Sequence, residues 1–300
     1  MGKAITPADM IMALESMDKK KAKWQTEHPG ESMPVCEKCN NIGLVRRTYN
    51  EDGKEVFGDD AKKPGTYDYY EPCNCIKEGL SLVIKNNRKF ASVPGLYADA
   101  TFDNFKTDIY SNINSKQLAT VAKNDSIKYV MNFEKMKSHG LGLYIYSNAR
   151  GSGKSRLAST ISNELIKYGV RNKYASASQI LSEIQKTWNE KNESEEKIIR
   201  NYIEPKVLII DDLGARSGQN WMDEKFLMII DNRYQGNKVT IFTSNYEISS
   251  LPFKDMRIID RLSDVDRFYP IRMPDETVRI RSRVSSGGTD LFHDLTRKEN

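Results

Sequence analysis

From Leu141 onward the chain alternates short apolar runs with stretches of helical period. LYIY at 143–146 reads as a buried strand, and the segment after Lys154 keeps a helical pattern to about Tyr168. NKYASA at 172–177, VLII at 207–210 and VTIF at 239–242 read as three more strands, with the amphipathic EKFLMIIDNRY between the last two. Strands alternating with helices imply an α/β fold, a parallel sheet with helices on both faces. The pattern before Leu141 is different. Thr6-Pro7-Ala8-Asp9 is a helix start, and Met10, Ala13, Leu14 and Met17 follow on one face, to pack on their own domain or to dock a partner. A cysteine-containing region ends near Leu82, and Asn86 to Asp99 has a proline, a glycine and no period, as a linker would. Glu190 to Lys197 is a charge run expected to be a solvated connection, and SSGGTDLFHDLTRKEN reads as a loosely held tail. The expected division is 1–85 for a small helical or irregular N-terminal domain, 86–99 for a linker, 100–284 for the α/β domain and 285–300 for the tail.

Composition narrows the class. Hydrophobic residues make up 38% and charged residues 29%, which fits a water-soluble globular chain. No apolar run approaches the roughly 20 residues that span a bilayer, and no apolar secretory stretch opens the sequence, so no membrane partner and a cytoplasmic location are expected. MGKAIT fits the N-myristoylation pattern, which is short and loose. The net charge of +5 comes from 46 basic and 41 acidic residues in near balance, compatible with nucleic acid without arguing for it.

The candidate chemistry lies between the first strand and its helix. NARGSGKS, residues 148–155, is one residue away from the phosphate-cradling pattern G-x-x-x-x-G-K-[ST], because Asn148 stands where the first glycine should be. Asparagine enters the left-handed backbone region at modest cost, so the turn is expected to survive the exchange. Gly151 and Gly153 let backbone N–H groups crowd round phosphates, Lys154 reaches the β and γ groups, and Ser155 offers its hydroxyl to Mg²⁺. The candidate ATP/ADP-binding residues are Asn148, Ala149, Arg150, Gly151, Ser152, Gly153, Lys154, Ser155 and Arg156, joined by Asp211. Asp211 emerges at the end of the buried run KVLII, placed to hold the Mg²⁺ shell, and Asp212 is placed to orient an attacking water. An Asp pair that merely caps a helix is the plainer alternative. Asn245, at the end of VTIFTSN, could also hold that water.

All four cysteines fall between Cys36 and Cys75, which points to a metal rather than to disulfides. Cys36 and Cys39 in CEKC, with Cys73 and Cys75 in CNC, offer four thiolates in two close pairs for a tetrahedral Zn²⁺ site. Buried thiols without metal are the alternative. A region this small buries little surface, so zinc would supply much of its stability.

IIDDLGAR, then TIFTSN, then RIIDRL occur in the order found in the AAA+ replicative helicase loaders of the DnaC and DnaI type, which this chain resembles from about Phe90 to Val284. GLYADATFDNF, residues 95–105, resembles the segment leading into their ATPase domain. The likeness is nearest to DnaI, which also places a cysteine-rich zinc domain before the ATPase. The resemblance implies an ATPase that loads the replicative hexameric helicase onto single-stranded DNA during replication initiation. It implies that the zinc domain grips the helicase and that subunits self-associate through the ATPase domain. It assigns Asn245 to the polar sensor of the γ-phosphate, Arg261 to an arginine finger offered to the neighbouring subunit, and Arg279 to a second sensor, with Arg281 two residues away as the rival. Surface salt bridges would explain Arg257, Asp260 and Arg261 equally well. Asn148, and Asp212 where many AAA+ proteins carry glutamate, depart from the pattern and suit slow hydrolysis. The rival functions are an IstB-like transposition helper and an adaptor that binds ATP without hydrolysing it. Lys186 and Trp188, in SASQILSEIQKTW, could offer charge and a stacking face to DNA, although core packing of Ile180, Leu181 and Ile184 accounts for that segment as well.

Overall fold

The computed structural model describes residues 20–27, 36–37, 44–49, 54–56, 58–64, 67–72, 84–188, 194–215 and 219–279. The chain divides into two compact units, Met1–Lys89 with Ile166–Gly169, and Phe90–Leu165 with Val170–Asn300. The helix start at Thr6, the tail at 285–300 and Arg281 lie outside the described residues.

The first unit departs from expectation. Helical residues 20–27 (α1) precede three strands, β1 (Leu44–Tyr49), β2 (Glu55–Val56) and β3 (Tyr67–Pro72), which form an antiparallel sheet in the order β2-β1-β3. A helical or irregular domain is thus corrected to one built round a small sheet. The physical reason is visible in LVRRTY and YDYYEP, rich in β-branched and aromatic residues, with Asp52-Gly53 in the connection as a hairpin signal. Thr48 pairs with Val56, and Leu44 pairs with Pro72.

In the second unit, five strands form a parallel sheet in the order β5-β6-β7-β4-β8. They are β4 (Gly142–Tyr146), β5 (Asn172–Ser176), β6 (Val207–Leu213), β7 (Val239–Ser244) and β8 (Phe268–Arg272). Residues 84–91 are helical (α2), overlapping the start of the stretch read as a linker and crossing from the first unit into the second, and α3 (Ile113–Met131) and α4 (Phe133–Ser138) precede the sheet. The helices between strands are α5 (Lys154–Lys167), α6 (Ala177–Lys186), α7 (Glu195–Ile203), α8 (Asn220–Gln235) and α9 (Met256–Leu262). Ser194 caps α7 through the Lys197 N–H, so the second half of the expected solvated connection is helix.

Both faces of the sheet are covered, which is why its strands read as continuous apolar runs. Tyr144, Leu208, Ile210 and Phe242 pack with Ile180, Leu181 and Phe226 in one core that includes residues of α6, α7, α8 and α9. The alternate residues Leu143, Ile145, Ile209 and Ile241 are equally buried and point the other way. β8 is a fifth strand that the apolar pattern did not disclose. It lies at the edge beside β4, where Pro270 removes no ladder bond that matters, and two of its five residues between the buried ones face outward.

Arg233 of α8 is fully buried. It donates to the carbonyls of Tyr202, Ile203, Pro205 and Val239 and to the Thr240 hydroxyl, tying the end of α7 to the start of β7. Burial pushes its guanidinium down to about 9, since no carboxylate is among these partners.

Candidate functional site

The phosphate-loop segment joins β4 to α5 at the carboxyl end of the sheet, where ligands of open α/β sheets bind. Gly151 and Gly153 take φ of 77° and 99°, and these are the residues for which the turn needs glycine. Asn148 does not use the left-handed tolerance expected of it, because it is absent from the positive-φ residues. Its N–H instead donates to Asp275 Oδ1 at 2.7 Å, and the Ser147 hydroxyl donates to the same oxygen at 3.1 Å. Asp275, held in turn by Arg272, therefore fastens the entry of the loop from beyond β8. These bonds outweigh burial and hold its carboxyl below the usual range.

Other clasps close on the same loop. Tyr110, buried, donates from its hydroxyl to the Ser152 carbonyl at 2.7 Å, and the Val278 N–H donates to the Gly151 carbonyl. A Cβ on Gly151 would meet Thr277 and the Arg279 side chain, so Arg279 lies against the loop. Asn163 of α5 donates to the carbonyls of Tyr97, Ala98 and Ala100, which pins the incoming segment to the helix that follows the loop. Arg156 reaches the Asn104 carbonyl and side chain in that segment.

Lys154 is nearly fully buried, and its Nζ donates to the Ala149 carbonyl at 2.8 Å, to Ser152 Oγ and to the Ser147 carbonyl. Burial lowers its pKa to about 8, against the opposing pull of Asp212, Asp211 and Asp275. The Ser155 hydroxyl donates to Asp211 Oδ1 at 2.9 Å, bringing together two hard oxygen donors of the kind Mg²⁺ takes. The residues present thus fit that ion.

Asp211 and Asp212 are consecutive, and on a regular strand their side chains would face opposite sides. The ladder between β6 and β7 breaks here: Ile210 pairs with Phe242 and Leu213 with Ser244, so two aspartates oppose Thr243 alone. This is a β-bulge, and Asp212 takes φ of 59° within it. Thr243 Oγ1 donates to Asp211 and accepts the Asp212 N–H at 2.8 Å. Asn245 Nδ2 donates to Asp212 Oδ1 at 2.7 Å. Burial and the neighbouring Asp211 raise the Asp212 pKa, while Lys154, Arg150 and the Asn245 amide pull it down.

The structure thus brings together Lys154, Ser155, Asp211, Asp212 and Asn245, with Arg279 against the loop. Arg261 it does not bring there: its Nε donates to Asp231 of α8 at 3.0 Å, and its guanidinium lies 5.0 Å from the Tyr234 ring centroid. Of the four candidate zinc ligands, Cys36 is described and half-buried, and Cys39, Cys73 and Cys75 lie outside the described residues. Trp188 is half exposed, donates to Glu195 and packs edge-on against Trp221, whereas Ile180, Leu181 and Ile184 of α6 are in the core. Sequence reasoning missed Thr243 and Asp275. TIFTSN carries Thr243 two residues before Asn245, which was a signal, whereas nothing local to MPDE marks Asp275 as an anchor for a loop 127 residues away. No helix among the described residues is long and apolar enough to cross a membrane.

Comparison with known proteins agrees with this geometry. The chain is 27% identical over 169 residues to the replicative helicase loader DnaC of Buchnera aphidicola subsp. Baizongia pistaciae, covering 56% of this chain and 64% of that protein. It therefore spans less than two thirds of that relative's length. It is 29% identical over 187 residues to the chromosomal replication initiator DnaA of Bordetella petrii, covering 62% of this chain and 36% of that protein. The crystal structure of DnaI superposes with a TM-score of 0.50 at 24% identity, covering 61% of this chain and 95% of DnaI, a likeness of fold. The profile of the IstB-like ATP binding proteins matches residues 83–269, more than half of the chain and the whole span that carries the phosphate loop and both aspartates. With that match and the DnaC and DnaI likenesses, the chain belongs to the IstB-like ATP binding protein family, in which it resembles the DnaC/DnaI-type AAA+ loaders.

Proposed function

We propose that the protein is an ATP-hydrolysing loader that places a replicative hexameric helicase on single-stranded DNA during replication initiation. The observation that carries the ATPase part is the bulge at Asp211 and Asp212, which turns two adjacent carboxylates toward one phosphate loop. In this reading Ser155 and Asp211 hold Mg²⁺, which neutralises charge on the β- and γ-phosphates when bound. Lys154 contacts those phosphates, Asp212 and Asn245 hold the attacking water, and Arg279 reads the γ-phosphate from beside Gly151. Arg261, facing Asp231 rather than its own loop, acts on the nucleotide of a neighbouring subunit.

The loading role is supported by the DnaC relatives and by the DnaI fold likeness. The four cysteines are proposed to bind Zn²⁺ and to form the helicase-gripping part, within 1–85; the ATPase domain occupies 100–284 and contacts single-stranded DNA. An IstB-like transposition helper is the second reading, favoured by the description of the matching family itself. Co-purification separates the two. Capture of a hexameric helicase, with ATP turnover stimulated by single-stranded DNA, supports the loader. Capture of a transposase without helicase binding would replace it, and absence of turnover under all conditions would leave a nucleotide-binding adaptor. Elemental analysis of protein purified without chelators is expected to find about one zinc per chain.

A further inference from the structure

Arg257, Arg261 and Arg267, in and just after α9, spend their donors differently. Arg257 gives Nε and Nη2 to the two oxygens of Asp255, at 3.0 and 2.7 Å, a bidentate pair within its own helix turn. Arg267 donates to the carbonyls of Tyr234 and His139 and to the Asn237 side chain. Arg261 commits one edge. Its Nε donates to Asp231 Oδ1 at 3.0 Å, and Nη1 reaches Asp260 at 3.5 Å. Asp260 is mostly exposed, so water competes for that contact. Among the described residues Nη2 has no hydrogen-bond partner. The Nη1–Nη2 fork of this guanidinium is therefore open to a further anion.

The seat that holds the other edge is built on α8. Asp231, Tyr234 and Gln235 stand at positions i, i+3 and i+4, on one face of that helix. Gln235 Nε2 donates to Asp231 Oδ2 at 2.6 Å, which fixes the carboxylate with Oδ1 turned to Arg261. The Tyr234 ring supports the guanidinium from a second direction, its centroid 5.0 Å away. The Tyr234 hydroxyl in turn donates to Asp264, just beyond α9, so the ring is itself tethered. An arginine side chain left to itself samples many rotamers, and a group that stabilises a transition state acts from one geometry. We propose that Asp231 is a positioning residue for Arg261: the carboxylate fixes Nε, Tyr234 supports the guanidinium, and the Nη1–Nη2 fork is kept for the nucleotide phosphates of a second copy of this chain. This inference rests on the reading of Arg261 as a finger offered to a neighbouring subunit.

The test is Asp231→Ala, with ATP turnover measured at saturating ATP over a range of protein concentrations. Nucleotide affinity and the protein concentration giving half-maximal turnover are expected to match the wild type. Maximal turnover is expected to fall about tenfold, less than in Arg261→Ala, as for a catalytic group still present but misplaced. Mixing gives a readout that a merely structural defect would not move. Asp212→Asn subunits carry an intact finger and should restore turnover to Asp231→Ala subunits, whose own sites are intact; Arg261→Ala subunits should not. Asp231→Ser, too short to reach Nε, carries the test if Asp231→Ala does not fold. Wild-type maximal turnover in the folded variant, with Arg261→Ala impaired, overturns the proposal. So does rescue by Arg261→Ala, or a loss that higher protein concentration recovers, which would make Asp231 part of the assembly contact instead. Wild-type turnover in Arg261→Ala would overturn the finger reading itself and this inference with it, a result distinct from the others.

Discussion

Raising the pH from 7 to 9 should weaken nucleotide binding about tenfold, and the cause lies in one lysine. Lys154 is buried among loop carbonyls, and that burial brings its pKa down to about 8 from the ordinary 10.5. Phosphate binding needs the ammonium, so observed affinity follows the protonated fraction of the free protein. With a pKa near 8 that fraction is about 0.9 at pH 7 and about 0.1 at pH 9, a loss of roughly 1.3 kcal/mol. The sign follows from linkage: the bound phosphates raise the Lys154 pKa, so binding takes up a proton above pH 8 and affinity falls as pH rises.

Calorimetry in two buffers of different ionisation enthalpy, at pH 7 and pH 9, measures both the affinity and the proton uptake. Lys154→Arg stays charged across this range and is expected to bind more weakly but without the pH slope. Wild-type affinity that is flat between pH 7 and 9, or a slope that persists in Lys154→Arg, would refute the assignment of the slope to this lysine.

Three further outcomes follow from named contacts. Asp275→Ala removes the acceptor for the Asn148 N–H and one of two for the Ser147 hydroxyl, which keeps the Pro274 carbonyl, and nucleotide affinity should fall by about 3- to 10-fold, as expected for charge-assisted bonds; unchanged affinity would mean that the loop entry needs no anchor. Arg233→Met removes the guanidinium donor from the buried carbonyls of Tyr202, Pro205 and Val239, the Ile203 carbonyl keeping Lys238, and should cost about 3 kcal/mol or more in urea unfolding; a loss below about 1 kcal/mol would show that water or repacking satisfies them. Arg261→Ala should spare nucleotide binding yet lower turnover by orders of magnitude, with partial rescue on mixing with Asp212→Asn; turnover independent of protein concentration and without rescue would return Arg261 to a surface ion pair with Asp231.

The parts of the fold legible in sequence were those whose burial is plain in composition. LYIY, VLII and VTIF are apolar apart from Thr240 because both faces of the sheet are covered. Helix α3 escaped because its buried face is made of Ala119, Ala122, Ser126 and Tyr129 among many polar residues, so its period is written in side-chain size rather than in hydrophobicity. β8 escaped for a related reason: Tyr269, Pro270 and Arg272 give it an edge strand's composition. At the site, spacing made Lys154, Ser155 and Asp211 legible, since each acts close to the element that carries it. Asp275 acts on a loop 127 residues away in the chain, and only the fold brings it there.

Asp212 shows how far the chemistry depends on a strand that carries neither the loop nor the aspartates. β7 lies between β4, which leads into the loop, and β6, which ends in the two acids. Without the bulge, the side chain of Asp212 would turn to the face opposite Asp211, away from Lys154. The bulge demands a left-handed backbone at a residue with a side chain, a conformation that costs free energy and that aspartate tolerates better than most. Thr243 offsets that cost by accepting the Asp212 N–H while its own proton goes to Asp211, so one hydroxyl fixes the backbone of one acid and the carboxylate of the other. Asn245, two residues on, then orients the Asp212 carboxylate. Glutamate at 212 would have one more methylene and would carry its carboxylate past the amide that now holds it. The shorter acid and the bulge therefore belong together: the backbone, rather than side-chain length, aims this carboxylate, and β7 with the residue that follows it supplies both groups that keep it aimed.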